Sequence, residues 1–172
     1  TTASNNTAIG YQALTTNTTG ATHTAVGRSA LNNNTTGNNN TAVGYSAGNS
    51  VSTGTANTLI GSYAGDSITT GLDNVALGMD AAQDMTIGRF NIAIGTQALG
   101  NETIGDRSVA IGYQSGYYQV SDSNNEEAQN VYAGMYSGHY NVTGGGNTAI
   151  GYQALMGNST NSASSNTCVG KN

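Results

Sequence analysis

Five aromatic residues crowd one short stretch: Tyr117, Tyr118, Tyr136, His139 and Tyr140, with Asp122, Glu126 and Glu127 among them. Tyrosine offers a flat apolar face to a sugar ring and a hydroxyl to hydrogen-bond it, so the five make a candidate glycan-contact patch. They also have a structural reading, in which the rings fill a groove between chains and the acidic residues form a solvated loop. The three carboxylates are hard oxygen ligands of the kind calcium takes. Their spacing lacks the alternating ligands and central glycine of an EF-hand loop, so calcium is the weaker reading, and no other cofactor is implied. His23 and His139 lack the convergent partners that a zinc or acid–base site needs. The segment "GDRSVAIG" (Gly105 to Gly112) has no nucleophile-elbow spacing, and "TGGGN" (Thr143 to Asn147) lacks the lysine of a phosphate loop. Glu126 and Glu127, as sequence neighbours, would point to opposite faces of a strand. The chain is therefore read as non-enzymatic.

Positioning these residues falls to a repeat that fills nearly the whole chain. The phrase "NTAVGYSAG" (Asn40 to Gly48) returns as "NIAIGTQAL" (Asn91 to Leu99) and "NTAIGYQAL" (Asn147 to Leu155). Its glycine falls at Gly10, Gly27, Gly44, Gly61, Gly78, Gly95, Gly112, Gly134, Gly151 and Gly170, the first six intervals being 17 residues and the last three 22, 17 and 19. Ile, Val or Leu precedes that glycine in nine copies, Ala133 being the exception, and a β-branched residue stands two positions earlier, from Thr7 to Thr167. Alternation puts those two columns on one face of a short strand, read as the core face. The small residues between them, mostly alanine, form a second face expected to pack against sister chains. Asn opens eight of the ten copies, with His23 and Ser108 in the other two. Its turn chemistry marks a corner, where His23 is expected simply to replace Asn. A second glycine, as in "NTTG" (Asn17 to Gly20), reads as the end of a second, shorter strand, free to take positive φ. The 22-residue interval is an insertion, assigned to 117–130, and breaks in a repeat array are where function is grafted.

A 17-residue strand-turn-strand-turn unit cannot bury its own apolar face, so successive units must stack. The expected fold is all-β, a parallel β-solenoid of about nine to ten rungs in a single repeat domain over 1–172, roughly 43 Å tall at ~4.8 Å per rung. Composition fits an ordered array: 25 Gly, no Pro and 8% charged residues on a strict period, where disordered chains carry proline and charge without period. The net charge is −5, and the four basic residues Arg28, Arg89, Arg107 and Lys171 are scattered, which argues against nucleic acid as a partner. No stretch approaches the roughly 18 apolar residues of a membrane span, so no membrane insertion is expected. Cys168 occupies the small-residue column and is read as a small packed hydrophobe.

The pattern Asn-(Thr/Val/Ile)-Ala-(Ile/Val)-Gly-x-x-Ala, as in "NTAVGYSA" and "RSVAIGYQS" (Arg107 to Ser115), resembles the head repeat of trimeric autotransporter adhesins. It is still more similar to the NTAIGYQAL-type repeats of bacteriophage tail-fibre proteins. The resemblance covers almost the entire chain, although adhesin-head repeats are shorter. It implies a left-handed β-roll with three chains side by side as a homotrimer. It also implies an extracellular fibre, on a virion tail or a bacterial cell surface, that attaches to a host-surface glycan or protein receptor. Two alternatives remain: a purely structural spacer, and an ice-binding solenoid. The latter rests on the column Thr18, Thr35, Ser52, Thr69, Thr86 and Thr103 with Thr19, Thr36, Thr53 and Thr70 beside it, although adjacent threonines should point to opposite faces.

Overall fold

Each copy of the phrase forms a three-residue strand in the computed structural model, which describes residues 2–121, 128–158 and 162–171. In chain order these are β1 (Thr7–Ile9), β2 (Thr24–Val26), β3 (Thr41–Val43), β4 (Thr58–Ile60), β5 (Val75–Leu77), β6 (Ile92–Ile94), β7 (Val109–Ile111), β8 (Val131–Ala133), β9 (Thr148–Ile150) and β10 (Thr167–Val169). They lie side by side in the same order in one ten-stranded sheet, every neighbour parallel. The chain is a parallel β-solenoid, and each rung takes the number of its strand. Register holds even across the long interval, where Val109 still faces Val131.

The faces of the strand are the reverse of those expected. The alanines Ala25, Ala42, Ala76, Ala93, Ala110 and Ala149 are fully buried inside the coil, whereas Leu77, Ile111 and Ile150 are 42%, 43% and 44% exposed. The alanine column therefore faces no sister chain; the Ile/Val column is the outer one. The reason is curvature. A 17-residue coil is narrow, its opposite walls crowd the centre, and only small inward side chains fit at native packing density. Leu59 and Tyr132 break the alanine column, and glycine compensates across the interior each time. A Cβ at Gly65 would stand 2.7 Å from Leu59 Cδ2, and one at Gly138 would run into the Tyr132 ring.

The segment before the second glycine is not a second strand. Its amides converge instead: the N–H groups of Thr18, Thr19 and Gly20 all donate to Thr35 O, at 3.0, 3.1 and 3.4 Å, and Thr18 Oγ1 donates to the same oxygen at 2.8 Å. Nor does the second glycine take positive φ. A Cβ at Gly71 would lie 2.6 Å from Gly88 O, so close approach between rungs is what requires glycine there. The left-handed conformation falls on other residues, in one coil Ser29, Leu31 and Asn39, at φ of 59°, 48° and 58°.

The corner asparagines point inward and form a ladder. Asn40 Oδ1 accepts from both the backbone N–H and Nδ2 of Asn57, at 2.9 and 3.1 Å, and Asn57 Nδ2 also donates to Gly71 O at 2.9 Å. Asn74 repeats the pattern on Asn57. His23 takes an asparagine's place, as expected. Its Nε2 donates to Gly37 O at 2.8 Å while Nδ1 accepts the Asn40 N–H at 3.2 Å, which fixes the neutral tautomer. Burial accordingly lowers its pKa below the ordinary 6.5, against the opposing pull of the Gly37 carbonyl.

Candidate functional site

The extra length of rung 7 is confined more narrowly than 117–130. Val120 N–H donates to Val142 O at 2.7 Å, and Gly146 N–H donates to Ala128 O at 2.9 Å. Residues 117–121 and 128–130 thus keep the repeat's own positions, and the added residues fall within 122–127, where the second glycine would stand. Asp122, Glu126 and Glu127, the calcium candidates, lie outside the described residues. Among the described residues no group of three or more metal-ligating side chains converges.

Because Tyr117 and Tyr118 belong to the regular coil, each meets its counterpart one rung on. Tyr117 stacks on His139 with centroids 5.7 Å apart, and Tyr118 stacks on Tyr140 at 5.1 Å with planes only 9° apart. Edge contacts join the pairs: Tyr118 with His139 at 5.2 Å, His139 with Tyr140 at 4.4 Å, and Tyr136 with His139 at 5.2 Å. Tyr113 and Tyr152 extend the cluster through Tyr136 at 5.4 and 6.5 Å. All five sequence candidates are thereby brought together in one set of seven rings. They are not equivalent. Tyr118 is 41% exposed, while His139 is only 5% exposed and lies beneath the tyrosines with Nδ1 3.1 Å from Gln114 O. Burial lowers the His139 pKa and raises that of Tyr136, whose neighbour Tyr113 adds to the shift. Between Tyr118, Val120, Tyr140 and Val142 the surface folds into an open cleft of about 340 Å³. This arrangement can stack on an apolar face and hydrogen-bond through phenols. It holds no nucleophile–base pair.

The support beneath the cluster contains residues that sequence reasoning passed over. Glu102 is fully buried. Its Oε1 accepts the N–H groups of Thr103, Ile104, Gly105 and Ser121 at 2.8 to 3.2 Å. Its Oε2 accepts Gln119 Nε2 at 2.7 Å and Ser121 Oγ at 2.9 Å. In rungs 1 and 3 the three convergent amides bind a carbonyl of the next coil; here a carboxylate takes that carbonyl's place, immediately beneath the interrupted corner. Gln119 passes the network to Asn130, whose Nδ2 donates to Gln119 Oε1 at 3.0 Å and to Gly144 O at 2.9 Å. Tyr132, one of the six tyrosines from Tyr113 to Tyr140, turns inward rather than joining the outer cluster, and its hydroxyl accepts Asn141 Nδ2 at 2.7 Å. The signal for Glu102 was its column: it is a charge that follows three apolar residues, Val51, Ile68 and Met85, at the 17-residue period. No family model matches the chain, and no curated protein or solved structure matches it.

Proposed function

We propose that the chain is a non-enzymatic segment of an extracellular attachment fibre, of the phage tail-fibre or bacterial-adhesin kind, working as a left-handed homotrimer that contacts a host-surface receptor. The observation that carries this reading is the seven-ring cluster, a large aromatic surface on the side of a hydrogen-bonded rod, at the rungs where the repeat is interrupted. Exposed tyrosine-rich clusters of this kind suit recognition. The outward column from Ile9 through Leu77 and Ile111 to Val169 gives sister chains an apolar face to bury, on a rod whose own interior is mostly alanine. Left-handedness and the three-chain state come from the resemblance of the repeats.

Ring-on-ring packing favours a second reading, a spacer whose tyrosines only stiffen the rod. The ice-binding alternative has less support. The hydroxyls of Thr35, Ser52, Thr69 and Thr86 each donate to the next rung's carbonyl at 3.0 to 3.1 Å, so they are committed within the rod. Light scattering together with adhesion to host-type cells tests the proposal. Three times the 17.3 kDa chain mass with adhesion that free oligosaccharide inhibits is the expected result. A trimer that adheres to nothing leaves the spacer; a monomer removes the side-by-side fibre.

A further inference from the structure

None of the seven residues of the aromatic cluster is a lysine, arginine, aspartate or glutamate. Its cleft is walled by Tyr118, Val120, Tyr140 and Val142. No lysine or arginine occurs in the sequence between Arg107 and Lys171, and Lys171 sits at the far rim, with Nζ 5.8 Å from the Tyr152 ring centroid. The formal charges the sequence adds next to Ser121 are all negative: Asp122, Glu126 and Glu127. His139, the cluster's one basic group, is buried beneath the tyrosines.

Proteins hold carboxylate and sulfate groups with charge-assisted donors, above all the arginine fork. An anionic sugar seated on this surface would give up water without meeting a cation. A neutral sugar brings a C–H face for the rings and hydroxyls for the phenols. Resting on the attachment reading above, we propose that this patch recognises uncharged saccharides and discriminates against sialylated or sulfated ones, with the cleft at Tyr118 and Tyr140 as the seat.

The test uses the full chain against immobilised neutral galacto- and manno-oligosaccharides and their sialylated and sulfated counterparts, with mass followed by light scattering. Wild type should retain a neutral probe and pass the acidic ones. The pair Tyr118→Ala with Tyr140→Ala should weaken that binding by roughly tenfold at unchanged mass, the order expected when two stacking rings are lost. Val120→Arg, which keeps every ring, should raise affinity for the sialylated probe by about tenfold, and it serves even if the alanine pair does not fold. Wild-type preference for an acidic probe overturns this inference and leaves attachment standing. Retention of no probe overturns this inference, and adhesion to host-type cells then decides whether attachment stands. A changed mass in the alanine pair makes the rings a seam between copies and removes the saccharide seat.

Discussion

Rungs 3 to 5 and rungs 6 to 8 share one backbone register and fill the coil in different ways. In the first set the interior column is Val51, Ile68 and Met85, all fully buried, and the amides beside them converge on backbone oxygens: Ser52, Thr53 and Gly54 N–H on Thr69 O, at 2.9, 3.3 and 3.2 Å. In the second set the same column reads Glu102, Gln119 and Asn141, also fully or almost fully buried, and side chains do the joining. A buried donor must find an acceptor, but its origin is open. The array tolerates an interrupted corner because Glu102 supplies what the next coil's carbonyl no longer does. Rungs 7 and 8 also carry six of the seven rings, Tyr152 on rung 9 being the seventh.

The largest effect should come from forcing one region to resemble the other. Glu102→Met copies the interior of rung 5 but strands four amides, the Ser121 hydroxyl and the Gln119 amide. A loss of about 3–5 kcal/mol is expected, against less than about 1.5 kcal/mol for Met85→Leu, both read from urea melts. Equal losses would mean that the carboxylate is not replacing a ladder acceptor. A second comparison concerns the glycines opposite large inward residues. Gly138→Ala sets a methyl against the Tyr132 ring at a φ of 62° and should cost about 1–3 kcal/mol. Adding Tyr132→Ala, which restores the alanine column, should reduce the penalty of the glycine change, giving a coupling of at least about 0.5 kcal/mol in a double-mutant cycle. Additive losses would sever the proposed compensation. The smallest effect concerns the ladder. His23 has a folded pKa below 6.5, so its contribution is fully present above that pH and is lost as pH falls and the unfolded chain takes up the proton first. His23→Asn should remove roughly 1 kcal/mol or less of acid-side loss, seen as a flatter Tm-against-pH curve, with His139 keeping its own share. An unchanged slope would place the acid sensitivity elsewhere.

The rungs, the first strand of each copy and the corner at which His23 replaces asparagine were legible because a hydrogen-bonded ladder demands the same chemistry at every copy. Which strand face is inside was not. Alternation separates Ala25 from Thr24 and Val26 but does not say which side is concave, and hydrophobicity alone points to the wrong one. The usable clue was pairwise: Leu59 occurs with Gly48 and Gly65, Tyr132 with Gly116 and Gly138, whereas rungs 2, 5 and 6 carry Leu31, Ala82 and Leu99 at that position. The coming together of Tyr117, Tyr118, Tyr136, His139 and Tyr140 followed from the 22-residue spacing once 122–127 is set aside, since residues one coil apart become lateral neighbours. Glu102 escaped because its meaning depends on amides that no sequence pattern displays.

The inward asparagines carry a consequence for how such a molecule changes over generations. Each coil presents to the next the same acceptors that it received, from Asn40 to Asn57 to Asn74 and on to Asn91. Tandem duplication or deletion of one whole 17-residue copy among these rungs therefore rejoins matching ends and alters reach by one strand spacing, about 4.8 Å, whereas losing a single residue within a strand turns the rest of that strand to the wrong face. Length in this protein is a copy number, adjustable in discrete steps without redesign of anything it displays.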